Sequence, residues 1–156
     1  SLINLDFQAR TKEDVLKELS RSACEAAIVG DAQKLYLELA KREQMLSTAT
    51  GHGIAIPHPR DPDPAMFTRA NILMARSAAG VEFDAPDNEK VYLFFMVCAP
   101  DIAVHLRILA KLSEMLNVNG VVKKLMSLST SKEIIQLLLE IEWQSFFHGN
   151  QLERDN

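Results

Sequence analysis

Four histidines are spread along the 156 residues, and one stands in a setting suited to chemistry: in Gly53-Ile54-Ala55-Ile56-Pro57-His58-Pro59-Arg60, His58 lies between two prolines. Pro57 fixes its own φ and Pro59 confines His58 to extended backbone, so the imidazole rides on a stiff segment. A neutral imidazole is a nucleophile, and its ordinary pKa of about 6.5 leaves it mostly neutral near pH 7. Gly51 and Gly53 precede it and permit a turn whose main-chain N–H groups could face an anion. Arg60, just beyond, could meet an anion or an acidic partner, or stand solvated. A second chemistry would use His52, His58 and His105 as metal ligands. Zinc sites usually add carboxylates or thiols at compact spacing and this loop supplies neither, so no metal is expected.

The elements that must position His58 follow from pattern. Ile3 to Phe7 alternate as a short strand would. Thr11 followed by Asp14 reads as a capping box that opens a helix with Val15, Leu16, Leu19 and Ala23 inward, ending near Gly30. Asp31 caps a second helix carrying Leu35, Leu37, Leu39 and Ala40, which fades at Arg42-Glu43-Gln44. A hairpin or loop then feeds a brief strand that stops at Pro57. Residues 61–67, with Pro62 and Pro64, read as loop. Asn71 to Ala75 and Val91 to Cys98 read as strands, the second a central one buried on both faces, with Gly80 and residues 84–88 as turns between them. Pro100 and Asp101 begin a helix whose stripe is Ile102, Leu106, Leu109, Ala110 and Leu116, and this periodicity places His105 about one turn in. A short helix over Val121 to Leu128 and a longer one, opened by Thr130 and Glu133 and burying Ile134, Leu137, Leu138 and Ile141, complete the order. Strand, two helices, several strands and three helices suggest an α/β fold, a mixed central sheet flanked by helices on both faces.

Composition narrows the function classes. Hydrophobic content of 47% without a membrane-length apolar run suits one soluble domain with no membrane insertion. Seventeen basic residues scattered among 21 acidic ones give a net charge of −4 and no concentrated field for nucleic acid. Cys24 and Cys98 lie far apart in apolar runs, as reduced thiols in a cytoplasmic core would. Ser1 stands where a start Met would, which suits a domain cut from a longer polypeptide with an upstream partner.

Arg42-Glu43, Ser47-Thr48, the string GIAIPH ending at His58, and His105-Leu106 together resemble the fructose/mannitol/nitrogen-regulatory type of enzyme IIA of the sugar phosphotransferase system. The likeness covers nearly the whole chain, and GIAIPH is specific because it matches six adjacent positions. It implies the mannitol-type enzyme IIA fold, with residues 1–147 as the phosphocarrier domain and residues 148–156, including His148, as a polar tail. It also implies a phosphotransferase that needs no cofactor. HPr, or a nitrogen-branch relative, would pass a phosphoryl group to His58, and His58 would pass it to an enzyme IIB domain. In this scheme His105 is the second active-site histidine and Arg42 the cationic clamp, a guanidinium being able to grip phosphoryl oxygens in a fork. Thr48, Ser47, Gly51 and Gly53 would bind the phosphoryl group, and Ile54, Ile56, Met66 and Phe67 would form an apolar docking rim. Glu43 would make only a local structural contact. Ala49-Thr50-Gly51-His52 replaces the more typical Gly-Ile-Gly-Asn, and Pro59-Arg60 replaces a Gly followed by a variable residue, departures that bear on partner choice. The alternative is a regulatory module whose phosphorylation state controls a target protein or a fused DNA-binding domain. The sugar served and the existence of a homodimer stay open.

Overall fold

The computed structural model describes the backbone of residues 2–152, and the side chains of these except 143 and 145–152. Its elements are β1 (Ile3–Asn4), α1 (Lys12–Glu25), α2 (Ala32–Met45), β2 (Ala49–Gly51), β3 (Ile54–Ala55), β4 (Asn71–Val81), β5 (Val91–Cys98), α3 (Ile102–Leu116), α4 (Val121–Ser127) and α5 (Ser131–Leu152). They fall into two compact units, one running to Leu109 and one starting at Ala110.

In the first unit the strands form one mixed sheet in the order β1-β4-β5-β3-β2. β1 runs parallel to β4, β4 antiparallel to β5, β5 parallel to β3, and β3 antiparallel to β2. β5 is therefore the middle strand, and all its residues except Tyr92 are buried, as its unbroken apolar run requires. Phe94 lies at the centre of the core, 5.9 Å from the Phe7 ring and 5.4 Å from the Phe83 ring. Burying a ring of this size is worth about 2–3 kcal/mol.

Helix α1 opens as its first residues dictate: Thr11 Oγ1 accepts the Asp14 N–H at 3.1 Å, and the Asp14 carboxylate accepts the Thr11 N–H at 3.2 Å. Val15, Leu16, Leu19 and Ala23 are buried. The helix stops at Glu25, short of Gly30, because Ala27 turns left-handed with φ of 57° and the Ile28 N–H bonds back to the Ala23 carbonyl at 2.9 Å. Asp31 caps α2, accepting the Lys34 N–H at 3.0 Å. Leu35 and Leu39 face the core, whereas Leu37 is exposed.

Two expectations are corrected in this unit. The strand expected to end at Ala75 runs on to Val81, and Gly80 lies inside it, not in a separating turn. The register shifts between Arg76 and Val81, so the extra residues are absorbed in an irregularity where Gly80 takes φ of 72°. The apolar stripe drawn on α3 is also misplaced. Ile102 and Leu106 are each 57% exposed, while His105, Leu112, Met115 and Leu116 are buried.

The second unit holds the end of α3 with α4 and α5. Thr130 and Glu133 form the expected box, the Glu133 carboxylate accepting the Thr130 N–H at 2.9 Å and Thr130 Oγ1 accepting the Glu133 N–H at 3.2 Å. Ile134 and Ile141 are buried, and Leu137 and Leu138 half-buried. The backbone of α5 continues through Leu152, beyond the expected start of the tail at residue 148. The His148 side chain and residues 153–156 lie outside the described residues.

Gly80 gives a test of the strand irregularity. A Cβ there would lie 2.7 Å from the Tyr92 ring, on a backbone that side chains rarely adopt. Gly80→Ala is expected to cost about 1–3 kcal/mol, read as a fall in the urea unfolding midpoint.

Candidate active site

The pairing of β3 with β5 continues past β3 itself. Tyr92 and Leu93 donate their N–H groups to the Gly53 carbonyl at 2.8 and 3.0 Å, and the Val97 N–H donates to the Pro57 carbonyl at 3.0 Å. The chain is thus held along the central strand from Gly53 to Pro57, and His58 emerges beside the carboxyl end of β5. Just beyond that end, the Asp101 carboxylate accepts the Val104 N–H at 2.9 Å and so opens α3. One turn in, His105 faces inward, 5% exposed, with its N–H on the Asp101 carbonyl at 3.0 Å. The His58 and His105 rings meet with centroids 5.0 Å apart and planes inclined at 56°.

His58 Nδ1 lies 2.7 Å from the Ile56 carbonyl oxygen. A carbonyl only accepts, so Nδ1 carries the hydrogen and the lone pair of the neutral ring sits on Nε2. Burial holds the pKa of His58 below the ordinary imidazole value, and the positive charge of Arg42 pushes the same way, against the opposing pull of the Ile56 carbonyl. Burial lowers His105 too, with a further contribution from His58. Both shifts favour the neutral ring, the state a nucleophile needs. Arg42, in the last turn of α2, is half-buried and donates from Nη1 to the Leu46 carbonyl at 2.6 Å.

His58 and His105 are in ring contact and Arg42 is near enough for its charge to act on His58; the other expected phosphoryl ligands are engaged elsewhere. Gly51, His52 and Gly53 make the tight turn between β2 and β3, with positive φ at all three. The four steps of extended chain from Gly53 to Pro57 span about 13 Å, which puts this turn at the far end of the strand from His58. There the His52 N–H donates to Asp87 at 2.8 Å. Gly51 and Gly53 are thus required by a turn of the primed type, with left-handed central residues, and not as a cradle for an anion at His58. Thr48 is nearer but buried, its hydroxyl donating to Glu43. Ser47 Oγ donates to the Phe83 carbonyl at 2.5 Å.

The docking rim also needs correction. Ile54, Ile56 and Phe67 are buried and Met66 is half-buried against the core, because the short strand and its following loop pack inward. The exposed apolar side chains close to the site are Ile102 and Leu106, flanking His105, and Leu46, whose carbonyl Arg42 holds. At about 100° per residue, Ile102 and Leu106 sit on one flank of the helix, about 60–100° from His105. Once His105 is placed inward this arithmetic finds them, whereas grouping all apolar residues on one stripe hides them. Arg60 is exposed, its Nε 4.0 Å from the Asp61 carboxylate.

Among the described residues, no group of three or more His, Cys, Asp or Glu side chains is placed to hold a metal ion, and His52 stands apart from the other two histidines. Cys98 ends β5 fully buried, which pushes its thiol up to about 12. Among the described residues no helix is long and apolar enough to cross a membrane.

The first unit thus carries, on a mixed five-stranded sheet, two histidine rings in contact and an arginine whose charge acts on one of them. Residues 1–141 match the family model for the phosphoenolpyruvate-dependent sugar phosphotransferase system, EIIA 2, and the chain belongs to that family. It is 32% identical over 142 residues to the PTS system fructose-specific EIIA component of Haloferax volcanii, covering 90% of each chain. Among solved structures it resembles the nitrogen regulatory protein IIA-Ntr of Neisseria meningitidis, with a TM-score of 0.78 and 29% identity over 88% of this chain and 94% of that one. The fold is shared with enzyme IIA mannitol of Escherichia coli, solved in complex with phosphorylated enzyme IIB mannitol, with a TM-score of 0.75 at 20% identity over 88% and 94% of the two chains. The family and the mannitol-type fold that the motifs implied are thereby established.

The charge state of His58 is open to direct measurement. Its neutral fraction should persist below pH 6.5, so the acid limb of any reaction at Nε2 should lie at lower pH than for free imidazole, at about 6.5. Arg42→Ala removes a cation that disfavours protonation, so the His58 midpoint in an NMR titration should move up.

Proposed function

We propose that this chain is a cytoplasmic phosphohistidine carrier of the sugar phosphotransferase system, with Nε2 of His58 as the atom that takes the phosphoryl group from an HPr-like donor and yields it to an enzyme IIB domain. The observation that carries the reading is the bond between His58 Nδ1 and the Ile56 carbonyl, which leaves the lone pair of the neutral ring on Nε2. In each transfer the lone pair of one imidazole attacks phosphorus as the N–P bond of the other breaks, roughly in line. The Nδ1 hydrogen stays in place, so no general base is required. His105 lies within reach of a group attached to Nε2, at the amino-terminal turn of α3, where the helix end favours negative charge. A phosphoryl group arriving there raises the proton affinity of His105, which turns that ring into a donor only when the anion is present. Arg42 supplies the fixed positive charge. Ile102, Leu106 and Leu46 give both partners the apolar surface on which to seat.

A second reading, control of a target protein by phosphorylation state, draws on the likeness to the Neisseria protein. The two are separated by whether a IIB domain discharges the phosphorylated chain.

In a relay of labelled phosphoenolpyruvate, enzyme I, HPr and this chain, His58→Ala should take up no label, and full labelling of that variant would reject the assignment. Arg42→Ala should be slowed about tenfold or more. Leu106→Asp should raise KM for the phosphorylated donor about tenfold with little change in kcat, as loss of a docking contact does.

A further inference from the structure

Glu43 is the one carboxylate among the described side chains that is buried, with 4% of its side chain exposed, and the relay just described gives it no part. Its oxygens nevertheless stand at the head of a continuous series of bonds. Lys12 Nζ pairs with Glu43 Oε2 at 3.1 Å and lies 4.9 Å from the centre of the Phe83 ring. The Glu43 carboxylate accepts the Thr48 N–H at 3.1 and 3.2 Å and the Thr48 hydroxyl as well. The Thr48 carbonyl accepts the Ile56 N–H at 3.0 Å, and the Ile56 carbonyl accepts His58 Nδ1–H at 2.7 Å.

We propose that Glu43, held by Lys12, is a positioning residue for His58: it anchors Thr48, and through the pairing of Thr48 with Ile56 it sets the carbonyl that orients the reactive ring. The proposal rests on His58 being the reactive group. What passes along the series is position, not charge. At Thr48 and again at Ile56 the N–H and the C=O belong to different peptide planes, so no conjugated path joins the carboxylate to the imidazole. The constraint is mechanical. Residues 46–48 are gripped from both sides, Arg42 holding the Leu46 carbonyl and Glu43 the Thr48 N–H. The adjacent pair thereby sets two members of the site at once, the cation and the histidine. Misplacing a reacting group by about 1 Å can cost up to about a hundredfold in rate, so a small loosening of this grip is measurable.

The test uses the full chain with 15N-labelled histidine, read by NMR for the tautomer of neutral His58, and by kinetics with phosphorylated HPr as donor. Wild type should show the Nδ1–H tautomer alone. Glu43→Ala should mix the two tautomers and lower kcat about tenfold while KM stays within about twofold. Glu43→Gln, which keeps an acceptor for the Thr48 N–H, should shift both in the same direction by less. Ile134→Ala, at a buried position in the second unit, serves as a variant weakened elsewhere, and its His58 should behave as wild type. A wild-type tautomer and kcat in Glu43→Ala overturns the proposal, as does an equal change in Ile134→Ala. Should Glu43→Ala fail to fold, Glu43→Gln decides, and a wild-type His58 signal there overturns it. A wild-type chain that takes no label rejects the carrier reading instead, while the tautomer measurement still judges the positioning.

Discussion

The hydrogen bond from His58 Nδ1 to the carbonyl two residues earlier is the constraint on which the site depends. It ties the ring to its own backbone, so the ring is placed only as well as the segment from Ile56 to His58 is. The prolines restrict the local angles, but they do not fix where the segment lies. That task falls to β5, whose buried apolar run fills the middle of the sheet and offers the N–H groups that take the Gly53 and Pro57 carbonyls. A ring tautomer is thus tied, in a few steps, to the burial of Phe94 and its neighbours. The hydrophobic core contributes to the chemistry by making one imidazole nitrogen the available one.

Charge completes what geometry begins. A half-buried imidazole beside a guanidinium and a second imidazole resists protonation, since each added positive charge would face the others in a partly desolvated space. The cluster is consequently short of negative charge while the carboxylate of Glu43 is turned away toward Lys12 and Thr48. An anion arriving at His58 meets the positive charge of Arg42.

Much of this was legible in the amino-acid order because it rests on local rules. Thr11 with Asp14, Asp31, and Thr130 with Glu133 announce helix starts, and Val91 to Cys98 announces a buried strand without help from the rest of the chain. His58, His105 and Arg42 were legible from a motif, since periodicity alone places His105 on a helix but not beside His58. What was not legible depended on contacts distant in sequence. Gly80 reads as a turn until Tyr92 is known to lie over it. Ile102 and Leu106 read as core until His105 takes the inward face of α3. The hydroxyls of Ser47 and Thr48 read as free donors, because nothing local shows that the Phe83 carbonyl and Glu43 take them.

The reverse turn at Gly51 and Gly53 has a consequence for how such a domain can change over time. Because it lies at the opposite end of a short extended segment from His58, substitutions at position 52 can be accommodated there under the demands of turn geometry alone. What that position asks of a side chain is tolerance of a left-handed backbone, a demand separate from the chemistry at His58.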